Sequence, residues 1–253
     1  MSVIVIKYGG SLLEEPGHRS AFLKDVAALS KKRSVILVHG GGKEISRQME
    51  ESGIKPRFVG GRRYTDEAVL AVVQKALAGL NREIVAELTR LGAKAQGGSG
   101  RDHHLMQAQP MADLGRVGTP SQVNSTVLNS LLEEGELPVL YSVAEDAEHK
   151  ALNINADDFA RAIAVACRAE RLVFLTDTGG VLGAEGQLLA RITPKDIDSL
   201  VEKKVVTGGM LVKAKACVDT LKDGVGSVDI VKGIKYLLEP GQVQPEGTVF
   251  SPA

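Results

Sequence analysis

Four glycine-rich turns carry charge, and each follows or precedes an apolar run. The first is Lys7-Tyr8-Gly9-Gly10-Ser11. Glycines lack a Cβ, so their backbone N–H groups can approach an anion closely. Lys7 adds positive charge in the same place. A plain strand-to-helix turn with an exposed lysine is the other reading. The second turn is His39-Gly40-Gly41-Gly42-Lys43. Three consecutive glycines cost ~1 kcal/mol each relative to alanine. A turn needs one or two, so the triplet suggests an anion or a backbone pressed against a helix N-terminus. It is no Walker A loop, because Leu37 stands where a glycine belongs and Glu44 follows the lysine. It is no dinucleotide fingerprint, because Ile45 occupies the third glycine position.

The third turn, Asp177-Thr178-Gly179-Gly180-Val181-Leu182-Gly183, is either a tight connection or a cradle for nucleotide phosphates or ribose. In Thr207-Gly208-Gly209-Met210-Leu211-Val212-Lys213, glycines precede a helix expected from Met210. That start puts Lys213 in the first turn, against the helix dipole. An anionic ligand would account for it, as would a solvated lysine like its neighbour Lys215. Asn153-Ile154-Asn155-Ala156-Asp157-Asp158 supplies ordinary N-cap types, yet capping explains only one or two of four such residues. A carboxylate at Asp157 could hold two active-site lysines. Gly60-Gly61-Arg62-Arg63-Tyr64-Thr65-Asp66 places two arginines before a helix. Arginine binds carboxylates bidentately, and one of the pair suffices. His103 and His104 adjoin Asp102 with no third ligand in spacing; they read as a solvated loop, and no metal ligand set is assigned.

The chain has 253 residues, 43% of them hydrophobic and 25% charged, with 31 basic and 31 acidic side chains. Zero net charge argues against a broad surface for nucleic acid or anionic lipid. Cys167 and Cys217 both lie in apolar helical patterns and read as reduced core thiols, consistent with a reducing cytoplasm. No apolar run approaches the ~20 residues that span a bilayer. No signal-peptide pattern precedes the first strand. A soluble cytoplasmic protein is expected.

Elements must position these turns. Val/Ile/Leu-rich runs predict buried parallel strands at Val3–Tyr8, Val35–His39, Pro138–Ser142, Arg171–Thr176 and Val228–Val231. Helical patterns cover Arg19–Lys32, Lys43–Ser52, Asp66–Leu91 with a break at Gly79, Ser121–Glu134, Ala156–Arg168, Pro194–Lys203 and Met210–Leu221. The alternation predicts a three-layer αβα sandwich around a mainly parallel sheet. Residues 97–118 break the pattern and read as a small antiparallel excursion at the sheet edge. The polar, acidic segment 142–150 is the candidate lobe junction. It divides an N-terminal lobe, 1–145, from a C-terminal lobe, 146–253.

K-x-G-G-S, H-G-G-G, G-x-R-x-T-D, N-x-N-A-D, L-T-D-x-x-G-V and G-G-M-x-x-K occur in this order from Lys7 to Lys213, and Glu246-Gly247-Thr248-Val249-Phe250 closes the chain. Together they resemble the amino acid kinase family, and within it the branch whose acceptor is N-acetylglutamate. The resemblance implies transfer of the γ-phosphoryl of ATP to the acceptor's γ-carboxylate, a step of arginine biosynthesis. Lys7 and Lys213 would stabilise the transferring group and Asp157 would orient them. Gly41 and Gly42 would contact the acceptor, Arg63 would hold its α-carboxylate, and Asn153 would lie near its acetamido group or carboxylate. Gly9 and Gly10, then Asp177, Thr178, Gly179, Gly180, Val181 and Leu182, then Val205, Val206 and Thr207 would line the ATP site. Mg²⁺ would ride on the phosphates without a protein ligand.

The resemblance also implies a homodimer; the long helical pattern Asp66–Leu91 is the candidate dimer helix. Arginine-sensitive members carry an extra N-terminal helix before the first strand, so weak or no arginine inhibition is expected. Gln96–Asp102 and Tyr141-Ser142-Val143 depart from the branch's pattern near the acceptor. A carrier-linked aminoadipate or glutamate is therefore the alternative acceptor, and a non-catalytic binding module is the alternative class. Carbamate and nucleotide acceptors fit Arg63 and the N-x-N-A-D run less well.

Overall fold

Alternate residues of the first strand, Val3–Tyr8 (β1), face two different cores. Val3 and Val5 pack on one side, Ile4, Ile6 and Tyr8 on the other. Only a strand covered by helices on both faces needs apolar residues throughout. The computed structural model describes residues 2–9, 13, 16–177, 179–202 and 208–252. It shows that arrangement around a sheet that has eight strands among the described residues.

In chain order the elements are α1 (Pro16–Ser30), β2 (Ser34–His39), α2 (Gly42–Glu51), β3 (Phe58–Val59), β4 (Arg62–Arg63), α3 (Glu67–Arg90) and β5 (Ala95–Ser99). Then follow β6 (Met106–Pro110), β7 (Val117–Val123), α4 (Ser125–Glu133), β8 (Leu137–Tyr141), β9 (Val143–Glu145), β10 (Ala151–Ile154) and α5 (Ala156–Ala166). The remainder is β11 (Arg171–Leu175), β12 (Arg191–Ile192), α6 (Pro194–Glu202), α7 (Gly208–Lys222), β13 (Ser227–Val231), α8 (Lys235–Leu238) and β14 (Gly247–Phe250).

The sheet order is β12-β14-β13-β11-β1-β2-β8-β5. Neighbours from β13 to β5 run parallel, and β14 lies antiparallel to β13. Phe159, Ile163 and Leu221 of α5 and α7 fill one core; Leu23, Val26, Ile84 and Leu88 of α1 and α3 fill the other. The αβα sandwich expected from the strand–helix alternation is present. All five expected strands are found, and β14 matches the closing Gly-Thr strand.

Three expectations are corrected. The helix expected from Ser121 begins at Ser125, because β7 continues to Val123 and pairs with β6. Helix α3 runs unbroken through Gly79 over 24 residues, capped by Asp66, whose Oδ1 accepts from Val69 N. The edge excursion starts later than Gly97, because β5 joins the main sheet beside β8. Beyond it, β10, β7, β6 and β9 close a small barrel with both parallel and antiparallel pairings. Residues 142–150, read as the lobe junction, form β9 and the turn into β10. Cys217 is fully buried and Cys167 partly so, and both are free thiols; burial pushes them up to about 12 and about 11.

Candidate active site

The carboxyl ends of β1 and β2 and the N-termini of α2 and α5 converge on one cavity of about 210 Å³. Lys7, Gly9, Gly41, Gly42, Arg63 and Asn153 are among its lining residues. A second cavity of about 300 Å³ adjoins it through Gly61, Arg62 and Asn155, and is lined by Asp157, Phe174 and Lys213. Ligands of open α/β sheets bind at the carboxyl ends of strands, so the position is the one the topology favours. A larger groove of about 780 Å³ between α1, α2 and α3 is lined by Arg19, Glu83 and Glu87. Its arginines already pair with glutamates, Arg19 with Glu83 and Glu87 and Arg47 with Glu44.

Asp157, in the second cavity, reaches Lys7 in the first. Asn155 caps α5, its Oδ1 accepting from Asp157 N at 2.9 Å and Asp158 N at 3.2 Å. This cap fixes the first turn, so the Asp157 side chain projects towards β1. Its Oδ1 lies 2.8 Å from Lys7 Nζ, and its Oδ2 lies 3.9 Å from Lys213 Nζ. Burial alone would raise the Asp157 carboxyl. Lys7 and then Lys213 outweigh it, so the group sits below the usual carboxylate range and is ionised at neutral pH. One carboxylate thus holds two ammonium groups, one from each half of the chain. Lys213 also stands over the Phe174 ring, 5.5 Å from its centroid. Helix α7 begins at Gly208 rather than Met210, which places Lys213 in its second turn. The dipole argument for an anion beside Lys213 therefore loses force, and the Asp157 pairing replaces it.

Two glycines are explained by close approach. A Cβ on Gly9 would lie 3.0 Å from Lys7 Nζ, so glycine leaves room for the ammonium to fold over the turn. A Cβ on Gly41 would lie 2.8 Å from Leu77 Cδ2 and 3.3 Å from Leu80 Cδ2, so glycine lets the loop rest on α3. Gly42 has nothing within 4 Å of that position; the space on that side is open. His39, fully buried before these glycines, shares Nδ1 with Gly40 O at 2.9 Å and Nε2 with Asn81 Nδ2 at 3.0 Å. Asn81 Nδ2 can only donate, so Nε2 accepts and Nδ1 carries the proton. Burial lowers His39 to about 4, so it is neutral and structural.

The neighbouring arginines differ. Arg62 Nη2 donates to Asp158 Oδ2 at 2.6 Å. Arg63 is only 8% exposed and meets no carboxylate among the described residues. Its nitrogens donate to Gly42 O and Ser46 Oγ, each at 2.9 Å, and its guanidinium stacks on Phe58 at 4.8 Å. Burial without a counter-charge lowers its pKa. Asn153 Nδ2 donates to Thr65 Oγ1 at 3.0 Å, and Thr65 in turn donates to Arg63 O.

Past β11, Asp177 is exposed, and Gly179 and Gly180 take positive φ of 73° and 134°. Val181 is buried with its N–H donated to Thr248 Oγ1 at 2.8 Å, while Leu182 is 52% exposed. Gly10, Thr178, Val205, Val206 and Thr207 lie outside the described residues. The Arg62–Asp158 pair and the Asn81–His39 contact had no distinct signal in the sequence, because each joins distant segments.

The chain matches the model of the amino acid kinase family over residues 2–232. It belongs to that family. An acetylglutamate kinase from Endomicrobium trichonymphae is 42% identical over 231 residues, covering 91% of this chain and 93% of the relative. Among solved structures, the protein smu.665 from Streptococcus mutans UA159 superposes with a TM-score of 0.83 at 29% identity, covering 99% of both chains. N-acetylglutamate synthase from Neisseria gonorrhoeae, solved with coenzyme A and N-acetylglutamate, gives a TM-score of 0.86 at 22% identity over 100% of this chain and 60% of its own. The last likeness concerns the fold alone.

Proposed function

We propose that this chain is an ATP-dependent acetylglutamate kinase, which phosphorylates the γ-carboxylate of N-acetyl-L-glutamate to give N-acetylglutamyl 5-phosphate and ADP. The single observation that carries the chemistry is Asp157 holding Lys7 and Lys213 between two adjoining cavities. The acceptor named by the relatives selects the substrate.

Both substrates are anions and repel each other. In the reaction a γ-carboxylate oxygen bonds to the γ-phosphorus as the bond to the β-phosphate oxygen breaks. Charge spreads over the phosphoryl oxygens. Lys7 and Lys213 neutralise it, and Asp157 keeps both ammonium groups in place before substrates arrive, so little reorganisation is left for the reacting state. No general base is needed, since the carboxylate attacks as an anion. Arg63, a buried cation with no protein carboxylate, pairs with the acceptor's α-carboxylate. Asn153 Oδ1 accepts no bond from the described residues and is free to accept the acetamido N–H. Gly42 leaves the space through which the acceptor approaches α2.

The reading includes Mg²⁺ bound to the ATP phosphates, where it neutralises charge on the leaving group. Asp157 is committed to two lysines, so the ion would be held by the ATP phosphates and would supply charge neutralisation there. The Asp177–Leu182 turn, with Gly9 and Gly10, contributes to the nucleotide side, as do Val205, Val206 and Thr207. The acceptor lobe is 1–145 and the nucleotide lobe 146–253. A cytoplasmic homodimer in arginine biosynthesis completes the reading. Among the described residues no helix is long and apolar enough to cross a membrane.

Steady-state ADP release with N-acetyl-L-glutamate, L-glutamate and L-aminoadipate tests the acceptor. The expected kcat/KM is at least ~10²-fold higher for N-acetyl-L-glutamate, well within the ~10⁴–10⁵ by which a site built to hydrogen-bond a group can reject the analogue without it. Equal turnover of the three acids would overturn the assignment.

A further inference from the structure

The small barrel carries a cluster remote in sequence from the lysine pair. His104 ends a single 3-10 turn, Asp102–His104, that leads into β6. Glu145 ends β9, and His149 lies in the turn between β9 and β10. No third ligand stands beside His103 and His104 in the sequence; the fold supplies Glu145 and His149 from more than 40 positions away. Glu145 Oε1 lies 2.6 Å from His104 Nδ1 and 3.1 Å from His149 Nδ1. One ligand atom from each of the three residues falls within 4.8 Å of the others.

Two features set this apart from an ordinary surface contact. Glu145 is 2% exposed, and among the described residues no lysine or arginine pairs with it. A buried carboxylate calls for a cation. Both histidines also hold left-handed backbone, φ 51° at His104 and 60° at His149, and both rings meet one oxygen. Left-handed backbone at a non-glycine residue persists only where its surroundings hold it, and it gathers at binding sites.

We propose that His104, Glu145 and His149 form a site for a borderline divalent transition ion such as Zn²⁺, distinct from the phosphoryl-transfer centre. Two imidazole nitrogens and one carboxylate oxygen make a donor set that suits Zn²⁺ over Mg²⁺, which favours oxygen ligands in an octahedron. A tetrahedral ion with bonds of about 2.0–2.2 Å needs ligand atoms about 3.3 Å apart. The histidine side chains are 68% and 62% exposed, so their rings have room to rearrange around an ion. Each neutral ring then carries its proton on Nε2 and offers the Nδ1 lone pair to the metal. The fourth position stays open to water. The bound ion would join the turn before β6 to the turn before β10 at one end of the barrel.

Metal-stripped wild-type protein, free of nucleotide, should be titrated with ZnCl₂ against a chromophoric zinc indicator at pH 7.5. We expect one ion per chain, a melting temperature raised by several degrees over that in EDTA, and affinity lowered at least ~10-fold in His104→Gln and in His149→Gln. Both variants should melt like wild type in EDTA and retain Mg²⁺-dependent kinase activity. Co²⁺ loaded into the wild type gives a check independent of any variant: a strong four-coordinate visible absorption is expected. No stoichiometric zinc, unchanged zinc affinity in both variants, or a weak spectrum of hydrated Co²⁺ would each overturn the site and leave an ordinary histidine–carboxylate cluster.

Discussion

Arg62 and Arg63 are adjacent in the chain, yet only Arg62 has a carboxylate: its Nη2 lies 2.6 Å from Asp158 Oδ2, while Arg63 is buried on Gly42 O and Ser46 Oγ. The backbone of β4 sends the two side chains to opposite faces. One guanidinium is neutralised by the protein; the other has no carboxylate partner among the described residues. Arg63→Ala should therefore raise KM for the acceptor ~10- to 100-fold, the range for a lost charge-assisted hydrogen bond. Arg62→Ala should leave that KM within about threefold, because its partner is half exposed and such pairs contribute little. Acceptor saturation curves at fixed ATP measure both.

Lys7→Ala and Lys213→Ala should act on kcat. Each removes charge stabilisation in the reacting state, worth ~10²–10³ in rate by analogy with loss of an oxyanion donor. Steady-state kinetics would show the fall in kcat with the acceptor KM little changed. A near-wild-type kcat in either variant would remove that lysine from the mechanism.

Asp157 links activity and stability to pH. Its folded carboxyl is depressed: Lys7 and Lys213 more than offset its burial. The sign follows from linkage: a depressed acid contributes stability above its unfolded pKa and loses it as pH falls through the folded pKa. Both lysines should stay held at pH 5 and be released only below the ordinary carboxylate range. Urea midpoints measured from pH 7 to pH 3 should fall more steeply at the acid end for wild type than for Asp157→Asn. Parallel curves would contradict the coupling.

The glycine triplet separates into positions with different duties. Gly41→Ala forces a methyl to 2.8 Å from Leu77 Cδ2 and should destabilise by ~1–3 kcal/mol, the cost of overpacking. Gly42→Ala meets open space and should leave stability within about 0.5 kcal/mol. Its effect should appear in the acceptor KM instead. Thermal melts beside kinetics distinguish the two.

The parts of the fold that were legible in the sequence are those with dense local signal. Strands such as Ile4-Val5-Ile6 and Val35-Ile36-Leu37-Val38 announce themselves by continuous β-branched and aliphatic residues. Strand β5 does not, because Ala95-Gln96-Gly97-Gly98-Ser99 lies at the sheet edge with few side chains to bury. Ser121–Val123 carries the polar composition of a helix start, yet backbone pairing with β6 extends it. The site was legible through its glycines and through Asn153–Asp158, whose excess of capping residues proved to include the carboxylate between the lysines. The His104–Glu145–His149 cluster was not, since its members approach one another only when the barrel closes. Nor could the sequence choose between Arg62 and Arg63; burial and the position of Asp158 make that choice.

The central claim is phosphoryl transfer to a free acylated amino acid's carboxylate by the Lys7–Asp157–Lys213 centre. Incubation with ATP, Mg²⁺ and N-acetyl-L-glutamate in the presence of hydroxylamine would trap the acyl phosphate as a hydroxamate. Hydroxamate should form in stoichiometric step with ADP for wild type, and fall ~10²-fold or more in Lys213→Ala. ATP binding without hydroxamate from wild-type protein would contradict it and point instead to a carrier-linked acceptor or a binding module.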